Sequence, residues 1–225
     1  IFKQLKKITK ILPVTYSYIS LSLKIRIFIE NLDQKNENLL PSWANSLDYL
    51  ELKDLLKKNN TKNKIYSHSG KIFDEKKPLM RNAQNYYFKY FLPLILQKVD
   101  QASMLNSVEH RSPFLSKKIM NFSLDGNYSK IYKVFSPKFF LKNAFYALIP
   151  KIILKQKKHG FAFPKYQILN QVNVIKKIID DELLTNKIFF YEKYDSYLLK
   201  KKDYSNYLWN ELILNLYLQN INIKK

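Results

Sequence analysis

Apolar residues recur along this chain at helical spacing, and no stretch shows the sustained alternation of a half-buried strand, so the fold must be built by packing helices. In "LDYLELKDLLKKN" (47–59), Leu47, Leu50, Leu52, Leu55 and Leu56 fall close to the 3.6-residue period before a polar stop, "NNTKNK". "NAQNYYFKYF" (82–91) predicts a second helix, which Leu92-Pro93 is expected to break. Pro93 suits the first turn of a third helix, 94–107, where its missing N–H costs nothing. "SPFLSKKIMNFSL" places Ser116 as the N-cap of a helix over 117–123. "SPKFFLKNAFYALIP" repeats that grammar, with Ser136 as cap, Pro137 at the first position and Ile149-Pro150 as the end. Near the C-terminus, Leu208, Leu212, Ile213 and Leu216 of "SNYLWNELILNLYLQNI" are spaced for one buried face. With no repeat and no linker, residues 1–225 are expected to form one mainly α unit, helical also over 1–79.

Composition narrows the function classes. A chain that is 46% hydrophobic and 15% aromatic is not a disordered one. The absence of cysteine excludes disulfides, thiol catalysis and cysteine metal sites, and fits a reducing compartment. The most apolar stretches, "ILPVTYSYISLSL" and "FLPLIL", fall short of the roughly twenty apolar residues of a membrane span. No signal peptide is evident, so a soluble, cytoplasmic protein is expected. A first residue of Ile1 suggests a fragment with a missing upstream portion. The net charge of +21 raises nucleic acid or an anionic membrane as partners. The lysines, however, are scattered through "KKITK", "LKKNNTKNK", "KQKKHG" and "LKKKD", and the abundant Lys, Asn, Ile, Tyr and Phe share A/T-rich codons. Neither nucleic acid nor membrane is expected as a partner.

His68, His110 and His159 lie far apart with no partner at metal-ligand spacing, so no metal site is expected on this chain. With glycine only at 70, 126 and 160, neither G-x-G-x-x-G nor a Walker loop fits. Two polar clusters remain. In "KVDQASMLNSVEHRSPFL" (98–115), Asp100 and Met104 share a helix face, with Ser103 beside them. Glu109 and Arg111 alternate in an extended stretch before Pro113, which points both to one side at charge-pairing distance. Spacing leaves open a structural clasp at a helix end or the wall of a ligand site. In "KQKKHGFAFP" (155–164), Gly160 permits a tight turn that presents lysine, suited to charge developing on a phosphate or carboxylate oxygen. Spacing alone favours a solvated basic loop there.

"LPLILQKVDQASMLNSVEHRSPFLSKK" resembles the signature of the glutamine-dependent asparagine synthetases, L-P-x-L-L-x-x-x-D-R-x-S-M-x-x-S-x-E-x-R-x-P-F-L-D. "SPKFFLKNAFYALIPKIILKQKKHGFAFP" is similar to the family's K-x-x-L-R-x-A-x-x-x-x-L-P-x-x-I-x-x-R-x-K-x-G-F-x-x-P, and "YSNYLWNELILNLY" to its closing L-W-x-L-x-x-L-E-x-W. The three motifs run in order over roughly 80–220. The resemblance implies the helical C-terminal half of an α/β synthetase domain of the adenine-nucleotide alpha-hydrolase-like (ATP pyrophosphatase) type. It implies ATP, Mg2+, aspartate and ammonia from glutamine as reactants, with upstream synthetase and glutaminase portions and a homodimer as partners. Lys158 falls on the lysine of R-x-K-x-G-F, implied to stabilise phosphate charge, with Gly160 on its glycine. Asp100, Ser103, Met104, Glu109 and Arg111 fall on the D-R-x-S-M and E-x-R positions, implied to line or brace the cleft. Gln101 and Gln156 replace family arginines, Ser116 an aspartate, Asn215 a glutamate and Tyr217 a tryptophan. The S-G-G-x-D-S loop, the G-x-G-x-D-E segment and a glutaminase cysteine are absent, so most of the ATP site is expected upstream of this chain.

Overall fold

The computed structural model describes residues 2–9, 11–15, 20–58, 65–125, 131, 133, 136, 138–156, 163–180 and 186–221. Among these the chain is mainly helical, as expected, with no strand and one isolated bridge between Lys133 and Ser136. It divides into two compact units, residues 1–70 with 161–225, and residues 71–160. No composition shift in the sequence marks either crossing.

The first unit is organised by the closing helix Ser205–Asn220, which packs on Lys165–Leu169, Val172–Asp180 and Lys187–Leu198. Leu208 and Leu212, four residues apart, are buried as their spacing predicts, and Leu216 packs at the margin. Ile213 is 45% exposed, a correction, because one residue past Leu212 turns it about 100° off the buried stripe. Tyr204, Tyr207 and a fully buried Asn215 complete the face instead. Asn215 donates to the Ile178 carbonyl, which Gln219 also reaches at 3.2 Å. That carbonyl belongs to the last turn of Val172–Asp180 and has no partner within its own helix. Phe189 meets Tyr207 edge to face at 5.7 Å, and the Tyr194 hydroxyl donates to the Leu169 carbonyl at 2.6 Å.

The leucine run of 47–59 forms the helix Tyr49–Lys58. Leu47 lies before it rather than in it, buried in the core, while Leu50 is exposed. Asp48 and Glu51 form a capping box: Asp48 Oδ1 accepts the Glu51 N–H at 2.9 Å, and Glu51 Oε2 accepts the Asp48 N–H at 3.1 Å.

In the second unit Pro93 does not break the helix. The helix Leu79–Tyr86 runs through a π-helical turn, Tyr87–Phe91, into Leu92–Met104 without leaving helical backbone angles. The wider turn, in which the Leu92 N–H reaches the Tyr87 carbonyl, makes room for a proline ring and for its missing N–H. The Tyr86 and Phe91 rings meet across this turn at 5.9 Å, tilted by 58°. Beyond Met104 the chain closes in a Schellman motif: Val108 N–H to Ser103 carbonyl at 3.1 Å, Ser107 N–H to Met104 carbonyl at 2.9 Å, with Ser107 at φ 56°. The helix therefore ends before 107.

Ser116 holds the N-cap position of Lys117–Asp125, its carbonyl accepting the Met120 N–H at 2.9 Å. Its hydroxyl makes no capping bond to a described residue, which corrects the predicted side-chain cap. Ser136 is not the N-cap either: Phe139–Ala144 starts after Lys138, which sits at φ 61°, while the Ser136 carbonyl accepts the Phe139 N–H at 3.2 Å and Pro137 lies outside the described residues. Pro150 opens the short helix Lys151–Lys155 instead of ending a long one.

Candidate functional site

The helix Leu92–Met104 and the returning segment 110–115 enclose a cleft of about 660 Å³ in the second unit. Leu92, Ile95, Val99 and Phe114 give it apolar walls, and Asp100, His110 and Ser112 are among its polar lining residues. A mostly apolar hollow with a few convergent polar groups is the general form of a small-molecule site. Asp100 can accept hydrogen bonds from an ammonium or hydroxyl, and His110 can donate or accept. None of the described lining residues is Lys or Arg, so this wall by itself does not neutralise a polyphosphate.

Asp100 is thus in the cleft, while the other residues of its motif stand around it. The Ser103 hydroxyl donates to the Asp100 carbonyl at 3.0 Å, inside its own helix turn. Met104 is more than half exposed and is not part of the lining. Glu109 and Arg111 do pair on one side, with Arg111 Nη2 and Nε both 2.7 Å from Glu109 Oε1. Their side chains are 67% and 84% exposed, so the pair contributes little to stability. Lys158 and Gly160 lie outside the described residues. His110 lines the cleft although no motif letter singles it out; its place beside Glu109 and Arg111 was the available signal.

A second charged cluster, in the first unit, joins residues too far apart in sequence for any local pattern to reveal. Lys202 Nζ lies 2.8 Å from Asp48 Oδ2, 3.1 Å from Glu51 Oε2 and 3.5 Å from Glu30 Oε2. Lys193 reaches Glu51 Oε1 at 3.3 Å, and the Tyr204 hydroxyl donates to the same oxygen. Burial opposes the Lys202 charge, but Glu51, Glu30 and Asp48 outweigh it and hold the ammonium pKa above its ordinary value. Burial pushes the Glu30 carboxyl up, only partly offset by Lys202. Burial also works against the Asp48 carboxylate, yet Lys202 and the Glu51 N–H outweigh it and hold Asp48 below its usual range. Burial and the neighbouring Glu51 raise the Tyr204 hydroxyl. The only sequence trace of this network is the box Asp48-x-x-Glu51.

Fold and cleft define a mainly helical protein, over its described residues, with an acid-bearing, largely apolar hollow and a buried ion network. The family model described as asparagine synthase matches residues 8–219, and the chain belongs to that family. Among curated proteins it is similar to asparagine synthetase (glutamine-hydrolyzing) 1 of Bacillus subtilis (strain 168), 29% identical over 136 residues. That alignment covers 58% of this chain and 21% of the relative, so the chain spans only about a fifth of that protein. No solved structure matches. No described helix is long and apolar enough to cross a membrane.

Proposed function

We propose that this chain is the C-terminal helical part of a glutamine-dependent asparagine synthetase. The whole enzyme would convert aspartate, ATP and ammonia from glutamine into asparagine, AMP and pyrophosphate. In that reaction an aspartate carboxylate oxygen attacks the α-phosphorus and pyrophosphate leaves; ammonia then attacks the activated carbonyl and AMP leaves. The family match over 8–219 carries the reading, since it spans the cleft that Asp100 and His110 line.

The surface of the second unit supports it. Leu94, Leu105, Leu148 and Ile152 are all exposed by 64% or more, and among the described residues of this unit no apolar side chain is fully buried. Large apolar side chains left this exposed suit burial against another part of a protein. The occupant we propose is the remainder of the synthetase, consistent with a relative about five times the aligned length.

In this reading Asp100 and His110 orient substrate in the cleft, and Lys158 supplies the cation that the described wall lacks. Glu109 and Arg111 brace the segment that returns to the cleft. Magnesium would help neutralise the pyrophosphate. Among the described residues no three His, Asp or Glu side chains are placed to hold such an ion, so we derive no step through it. A non-catalytic relative is the second reading, favoured by Gln101 and Gln156 in place of two family arginines.

The test uses the complete enzyme that carries this chain. Lys158→Ala should lower ammonia-dependent asparagine formation by about a hundredfold, the scale of one preorganised electrostatic group. Lys157→Ala should be nearly silent, and glutaminase activity should be near normal in both. Equal behaviour of the two lysines would overturn the assignment. An in-frame stop codon just upstream of Ile1 would favour the non-catalytic relative.

A further inference from the structure

The first unit contains a cavity of about 820 Å³, within the size range of small-molecule sites and separate from the cleft that holds Asp100. Its charged walls come from Phe2–Thr9, from Leu21–Glu30 and the turn after it, and from residues 48–50 and 201–202. Two of its lysines are neutralised in place: Lys6 by Asp33 at 2.8 Å and Lys202 by Asp48 at 2.8 Å. Three bases are not. Lys35 and Lys201 make no side-chain ion pair or hydrogen bond with a described residue, and both are exposed at the cavity rim. Arg26 is only 5% exposed, and its partners are neutral carbonyls, Leu12 at 2.9 Å and Lys201 at 3.5 Å.

Arg26 feels the Glu30 carboxylate electrostatically but forms no ion pair with it, and its two carbonyl bonds leave part of its five-donor fork unused. The planar fork matches the two oxygens of a carboxylate or phosphate. Glu30, one helical turn along from Arg26 and in electrostatic reach of it, forms its ion pair to Lys202 at 3.5 Å and accepts no hydrogen bond from a described residue, so it retains capacity to accept one. Tyr49 and Leu50 add an apolar edge. We propose that this cavity binds a small oxyanion-bearing metabolite. Its carboxylate or phosphate sits against Arg26 and Lys201 with Lys35 near, and a hydroxyl or amine of the same molecule donates to Glu30. This goes beyond the synthetase reading and does not depend on it.

Titration calorimetry on the full chain at low salt, with inorganic pyrophosphate in one arm and succinate in the other, tests the proposal. At least one anion should bind saturably at one site, and the arm that responds says whether phosphate or carboxylate is preferred. The double variant Lys35→Glu/Lys201→Glu changes only exposed side chains, and should weaken that binding tenfold or more with the helical circular dichroism unchanged. Lys53→Glu/Lys176→Glu, which alters net charge by the same amount at exposed positions outside the cavity, should retain it. Absence of saturable binding in both arms would overturn the proposal. So would equal weakening by the two double variants, because only the general positive charge would then be at work.

Discussion

Leu208 and Leu94 both sit inside long helices, yet Leu208 is fully buried and Leu94 is 64% exposed. The contrast extends through the two units. In residues 1–70 with 161–225, twelve apolar side chains of the described residues form a continuous core. In residues 71–160, the buried described side chains are Asn82 and Gln84. Asn82 exchanges bonds with Asp74 at 2.8 and 2.9 Å and donates to the Lys77 carbonyl at 3.1 Å, while Gln84 reaches the Ser123 carbonyl at 3.3 Å. One unit is held by what it removes from water. The other combines helix continuity, polar clasps and aromatic contacts such as Phe122–Phe140 at 5.2 Å, and leaves large apolar side chains such as Leu94 and Leu148 exposed.

The largest effect that can break this comparison is a truncation in each unit. Leu208→Ala should cost about 2–5 kcal/mol, the lost transfer energy plus the cavity left behind. Leu94→Ala should change the stability of this chain by less than about 0.5 kcal/mol, as at an ordinary surface position. Denaturant unfolding of the two variants measures both. Similar losses would mean that Leu94 is covered and that the second unit has a core of its own.

A smaller, pH-dependent effect isolates the ion network of the first unit. Glu30 is raised above its usual 4.5, so between that value and its folded pKa the folded state holds more proton than the unfolded chain. Its contribution therefore weakens stability as pH rises through that window. Asp48 is lowered below its usual 3.8, so its contribution is present above 3.8 and is lost as pH falls through its folded value. Glu30→Gln should leave stability at pH 7 unchanged or higher and reduce its slope above pH 4.5, since Lys202 keeps Asp48 and Glu51. Asp48→Asn should instead destabilise at pH 7 and converge with the parent chain below 3.8. Unfolding midpoints at several pH values decide it; a destabilised Glu30→Gln protein would show that Glu30 is an obligatory counter-ion.

What the sequence revealed follows the same division. Leu208 and Leu212 were legible because the core that covers them lies in this chain, and helical spacing reports a covered face. Leu47 matches the helical period yet precedes its helix, because the capping box Asp48-x-x-Glu51 sets the start that periodicity alone does not mark. The π-helical turn at 87–91 was hidden because a proline ordinarily signals an end, and only the observed wide turn shows how it is tolerated. Ser116 has the residue type of a cap without its side-chain bond. The network pairs Lys193, Lys202 and Tyr204 with acids 142 to 172 positions away, beyond any local pattern. In the candidate cleft, the motif led to Asp100, the pairing of Glu109 with Arg111 followed from alternation before Pro113, and His110, a member of the same polar cluster that no motif letter marks, is put in the lining by the geometry.

The smallest expected effect compares one backbone motif placed in both units. Lys200, at φ 54°, closes the helix Lys187–Leu198 as Ser107 closes Leu92–Met104: its N–H reaches the Tyr197 carbonyl at 2.9 Å, and the Lys201 N–H reaches the Ser196 carbonyl at 3.0 Å. Both are non-glycine residues in the left-handed region, where a Cβ crowds the following carbonyl and glycine does not. Ser107→Gly and Lys200→Gly should each stabilise by about 0.5–1 kcal/mol, the relief of that crowding exceeding the extra freedom glycine gives the unfolded chain. Where the gain registers is the informative part. If the units unfold separately, Lys200→Gly should raise the midpoint of the transition that exposes the core tyrosines. Ser107→Gly should leave that midpoint alone and slow amide exchange only around 101–108. Hydrogen exchange read alongside tyrosine fluorescence separates the two. An equal shift of the tyrosine transition by both variants would show one cooperative structure, in which the second unit borrows its stability from the core of the first.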